Sequence, residues 1–178
     1  DRLNTVKTIA QIGACIGREF THELVATVSP LSDTDLQSAF QQLVEAQIIL
    51  PQGGATQGSY IFKHALLQDA AYDSLLHGPK RQFHNRIADG LQSKFPDAIA
   101  NRPELLASHL AKAERFNEAI DHWKEAGLKA KNASSNQEAT HYFELALQHL
   151  GKEKPSPERD KRELELQAPL AVVWTALS

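Results

Sequence analysis

Leu3, Val6, Ile9, Ala10, Ile12, Gly13 and Ile16 recur at helical spacing and predict a first helix over 2–16, with Gly17 placed to end it. Thr21 can cap a second helix, with Phe20 and Val25 at the two staple positions. Ser32 caps a third, with Asp35 three residues on and Leu31 and Leu36 bracketing the cap. Leu36, Ala39, Phe40, Leu43 and Val44 form its apolar stripe. The pattern then changes period. Two short apolar runs, Ile48 to Leu50 and Tyr60 to Phe62, flank Pro51 and a glycine-rich stretch, which predicts a β-hairpin. Three helices followed by a hairpin are the elements of a winged helix.

The stretch FKHALLQDAAYDSLL comes next, from Phe62 to Leu76. On a wheel of ~100° per residue, Leu66, Leu67, Ala70, Ala71 and Leu75 share one half-circle, Gln68, Asp69, Tyr72 and Asp73 the other, and His64 sits at the border. This predicts a two-faced packing helix over 64–76. Gly78 and Pro79 permit a restart, and Phe83, Ile87, Leu91 and Phe95 make a seam at spacing four. Leu105, Leu106, His109 and Leu110 mark a further helix. One pattern then occurs twice, as Ala119, Trp123, Ala126 and as Ala139, Phe143, Ala146. A shared offset of 20 positions predicts consecutive antiparallel helices whose small residues admit a neighbour's aromatic ring. Pro155 and Pro157 mark a linker before a last helix with a stripe of Leu166, Leu170, Val173 and Leu177, kinked at Pro169. That stripe has no later partner in the sequence, so continuation into more repeats is expected. The predicted fold is mostly α: a winged-helix unit over 1–77, a connecting helix over 78–102, and tetratricopeptide-like repeats forming an α–α superhelix over 103–178.

Composition narrows the function. The 178 residues are 42% hydrophobic and 23% charged, as in ordinary soluble domains, and can bury a core without a metal or disulfide staple. A net charge of −3 gives no global attraction to nucleic acid or anionic lipid. Cys15, the single cysteine, excludes an internal disulfide and fits a reducing, cytoplasmic setting. No apolar run is long enough for a membrane helix, and no signal peptide is visible. With no Met and an opening Asp1, the chain reads as an internal piece of a longer polypeptide.

Candidate chemistry is thin. The loop from Gly53 to Ser59 has phosphate-loop glycine spacing, but it lacks the Lys and precedes a strand, so it reads as a hairpin turn. Asp69 and Asp73, at i and i+4, could bind a metal or act as an acid/base pair; a partner-facing or solvated surface is the preferred reading, and Tyr72 beside them reads as a packing residue with its hydroxyl at the surface. His64 and Asp69 point ~140° apart and form no local dyad. Glu138 and His141 form one Glu-x-x-His, where a di-iron site needs two plus further carboxylates. His109 reads as a core histidine and Cys15 as an inert buried thiol. A DNA-reading role meets a charge obstacle. Residues 33–47 hold no Lys or Arg, and residues 1–77 hold four basic and eight acidic groups. Duplex affinity comes largely from cations neutralising phosphates. Lys80, Arg81 and Arg86 are too few to reverse this. The expected interface residues are therefore Gln68, Asp69, Tyr72, Asp73, Trp123, Leu170, Val173 and Leu177, with no catalytic, cofactor or metal residue.

Four segments carry a resemblance. Phe62 to Tyr72, FKHALLQDAAY, resembles a segment of large bacterial signal-transduction ATPases of the STAND type, many of which also carry a class III adenylate or guanylate cyclase domain. Ile12 to Phe20, IGACIGREF, is similar to that family's IGReF element, Leu43 to Ala46 to its Lvea helix end, and Pro103 to His109, PELLASH, to its entry into tetratricopeptide-like repeats. The resemblance implies a non-catalytic regulatory segment that follows ATPase and cyclase modules and contacts them, further repeats, or another copy of the chain. The alternative is a segment of a transcriptional-regulator ATPase of the same type.

Overall fold

The structure, a computed structural model, describes residues 2–53 and 58–177; part of the glycine-rich loop (54–57) lies outside the described residues. It is mostly helical, with ten α-helices and one three-stranded antiparallel sheet among those residues. The chain divides into two compact units, Asp1–Gly90 and Leu91–Ser178. The division falls inside a helix, within the stretch read above as a connector.

In the first unit, α1 (Arg2–Ile16) is followed by β1 (Glu19–Thr21), α2 (His22–Val28), α3 (Asp33–Glu45), β2 (Ile49–Gln52), β3 (Ser59–Phe62) and α4 (Ala65–Asp73). Both expected caps are in place. The Thr21 hydroxyl accepts from the Leu24 amide at 3.2 Å, and the Ser32 hydroxyl accepts from the Asp35 amide at 3.3 Å while donating to its carboxylate at 2.7 Å. The hairpin forms as β2 against β3, with Ile49 opposite Phe62 and Pro51 opposite Tyr60. Pro51 has no amide hydrogen to give, and β2 is an edge strand, where that costs least. The strand order β1-β3-β2 adds an element that apolar periodicity does not signal, since β1 is three residues long with only Phe20 buried.

The interior of this unit is aromatic. The ring of Phe20 lies 5.4 Å from Phe62, and Phe40 stacks on Tyr60 at 4.5 Å and 12°. Gly13 lets Phe20 approach α1: a Cβ there would stand 2.8 Å from the ring. Ile9, Ile12, Val25, Leu36, Leu43 and Ile49 are among the aliphatic residues buried with them.

Helix α5 (His77–Lys94) carries most of the expected seam, with Ile87 and Leu91 buried and Phe83 half-buried; Phe95, also half-buried, follows the end of the helix. The second unit continues with α6 (Pro96–Asn101), α7 (Pro103–Lys112), α8 (Phe116–Asn132), α9 (Asn136–Leu150) and α10 (Pro157–Leu177). Ala119, Trp123, Ala126, Ala139, Phe143 and Ala146 are all buried, and α8 packs chiefly on α9. The pairing is antiparallel, since Phe116 at the start of α8 stacks on His149 near the end of α9, ring centres 5.2 Å apart. Arg162 of α10 reaches Asn117 and Asp121, and Glu165 reaches Lys124, so α10 runs parallel to α8. The connections repeat as well. Glu114 and Ser134 are left-handed at φ 63° and 60°. The next amide in each case, Arg115 or Ser135, donates back across the helix end to Leu110 or Ala130 at 2.9 Å. The 20-position offset read from the apolar pattern thus extends to the backbone bonding of the turns.

Candidate interaction surfaces

The eight residues expected at interfaces have different fates. On α4, Asp69 and Asp73 are exposed, and Asp73 pairs with Lys80 at 3.4 Å. Gln68 and Tyr72 turn inward. The Gln68 amide reaches the Ala14 carbonyl of α1 at 3.5 Å, and the Tyr72 hydroxyl meets Nε2 of the buried His84 at 3.1 Å. Burial pushes the Tyr72 hydroxyl above its usual pKa, with Cys15 and Asp73 adding to the shift. The packing face of α4 is therefore not the one the apolar half-circle marks. Leu66 is 79% exposed and Ala70 is exposed, whereas Leu67, Gln68, Ala71, Tyr72 and Leu75 are half-buried. The face is rotated by roughly 80° at ~100° per residue. The phenol ring, covered by the Lys80 ammonium at 4.2 Å, supplies more apolar body than the leucine it displaces. The helix also stops at Asp73, short of the expected Leu76.

In the second unit, Trp123 is buried and stacks on Tyr142 at 5.6 Å, with no hydrogen-bond partner for its Nε1. Leu170 and Val173 are buried with Leu166 on a helix that packs on α9, so most of the stripe expected to lie open is already covered. Leu177 is half-exposed and lines a cavity of about 400 Å³ with Ser134 to Glu138. The other large apolar groups left uncovered on α10 are on other sides of the helix: Leu164, Val172 and Trp174. A groove of about 250 Å³ runs between α7, α8 and α9, floored by Ala126 and Ala130 and edged by Glu104, Lys129, Glu138 and Tyr142. Burial raises the Tyr142 pKa, and the two carboxylates push the same way. Lys129 spends its ammonium on the Ala100 and Asn101 carbonyls.

His109 and Cys15 are both buried, and Cys15 forms no disulfide. Among the described residues, no three His, Cys, Asp or Glu side chains converge to hold a metal, and Glu138 and His141 are both exposed. No helix of the described residues is long and apolar enough to cross a membrane. The arrangement offers packing surfaces and polar grooves.

No family model matches the chain. No solved structure matches it significantly. An uncharacterized protein of Rhizobium meliloti (strain 1021) is 24% identical over 151 residues, 84% of this chain and 15% of that protein. The chain therefore spans a small part of the length of the curated relative it matches.

Proposed function

We propose that the chain is a non-catalytic regulatory and protein-interaction segment of a multidomain signalling ATPase linked to a class III cyclase. In this reading the first unit is a winged helix and the second the start of a tetratricopeptide-like scaffold. The carrying observation is the repeated α-hairpin: two Ala-aromatic-Ala helices, joined and preceded by turns with the same hydrogen bonds. Stacked hairpins of this kind build extended surfaces for other proteins. The element order α1-β1-α2-α3-β2-β3 supports the winged-helix assignment, and the motifs FKHALLQDAAY and IGACIGREF support the family. The partners are the parent protein's own ATPase and cyclase modules, further repeats, or a second copy.

The same winged-helix order favours a transcriptional regulator as the second reading, and the charge of α3 opposes it. Duplex binding by the first unit that weakens steeply with salt would establish that second reading. Purified protein that hydrolyses ATP or forms a cyclic nucleotide would overturn the first. The expected result is no turnover of either kind.

A further inference from the structure

We propose that the cavity between α2, α3 and β3 is a receptor for an arginine side chain of a protein partner. The proposal rests on the protein-interaction reading above and names the chemistry of one contact. The cavity holds about 470 Å³ and is lined by His22 and Glu23 of α2, Asp33 and Gln37 of α3, and Tyr60 of β3. That volume lies within the range of small-ligand sites.

Two kinds of group meet there. The first is aromatic. Tyr60 stacks on Phe40, and the His22 ring lies 5.1 Å from the same Phe40, so both lining rings are braced from inside by one buried phenyl group. The second is anionic. Among the described residues, neither the Glu23 nor the Asp33 carboxylate has an ion pair or a side-chain hydrogen bond. No Lys or Arg lies near them in sequence either. From Glu19 to Phe62 the chain carries five acidic residues and no Lys or Arg.

Carboxylates beside braced aromatic rings select a flat, delocalised cation over a compact one. A guanidinium can stack on a ring and still present its edge to carboxylates, which an ammonium cannot do. Although His22 lines the cavity with the two carboxylates, among the described residues no three His, Cys, Asp or Glu side chains are placed to hold a metal. The face that a DNA-reading winged helix would offer to phosphate is here arranged to attract the opposite charge.

The test is an NMR titration of the full chain at pH 8 and low salt, with the peptide acetyl-Gly-Arg-Gly-amide and its citrulline counterpart. The expected result is saturable shifts at Glu23, Asp33 and Tyr60 at about millimolar peptide, with the citrulline peptide weaker by about ten-fold or more. The double variant Glu23→Gln/Asp33→Asn should lose about ten-fold in affinity. Glu19→Gln/Glu45→Gln, the same charge change outside the cavity, should stay within about two-fold. The proposal is overturned by absent shifts, by equal binding of the two peptides, or by equal losses in the two double variants. A failure here leaves the turnover and duplex assays unaffected, so the two readings fail separately.

Discussion

Ser134 shows how much one backbone angle decides. It sits at φ 60° between α8 and α9, a region where a side chain costs roughly 1–2 kcal/mol, and it is exposed. Glycine there loses part of that advantage to its freer unfolded chain. Ser134→Gly should therefore raise stability by about 0.5–1 kcal/mol, read as a higher urea midpoint at unchanged slope. His149 works in the other direction. Burial, aided by Lys152, lowers its pKa below the ordinary 6.5, and its Nδ1 has no partner. The folded state favours the neutral ring, so its contribution is intact above pH 6.5 and is lost as pH falls through that value toward the lower folded one. Urea melts at pH 5 and 7.5 should show a smaller difference for His149→Gln than for the parent chain. Sequence alone does not point to either residue. A left-handed helix end usually advertises itself with glycine, and Gln47, Glu114 and Ser134 all stand in its place.

At the level of elements, Gly127 is the most exacting position. A Cβ there would lie 2.6–2.9 Å from three atoms of the Phe143 ring, which is itself fully buried. Gly127→Ala should destabilise by about 1–3 kcal/mol despite its better helix propensity, and Phe143→Ala by about 3–5 kcal/mol; thermal melts of the two variants check both. The α8–α9 pairing could be read from spacing because small and aromatic residues alternate at one helical period. Strand β1 and the six-residue α6 could not, because neither spans enough residues to show a period. The packing face of α4 departs from the apolar pattern for a different reason. Binary pattern ranks tyrosine and glutamine as polar, whereas here a phenol ring and an amide find specific partners on α1 and α5.

For the whole molecule, fold class follows from periodicity, while the interaction surface depends on which polar groups remain unpaired after folding. Of the residues expected at interfaces, Asp69, Asp73 and Leu177 stay exposed, Gln68 and Tyr72 are half-buried, and Trp123, Leu170 and Val173 are buried. The pair Glu23 and Asp33 had no motif to announce it, because the cavity joins residues from three elements. Charge predicts the gross behaviour. With four basic and eight acidic groups in residues 1–77, the chain should show no duplex binding by fluorescence anisotropy even at about 20 mM salt, where phosphate contacts are strongest.

The cation-free span also has a bearing on how the molecule can be dissected. Trypsin cuts only after lysine or arginine, so β1, α2, α3, β2 and β3 all leave in one peptide, Glu19 to Lys63. A tryptic footprint reports the opening of the helices of the second unit and gives no internal view of the sheet. A glutamate-directed protease, cutting at Glu23 and Glu45, is the reagent that sees inside it.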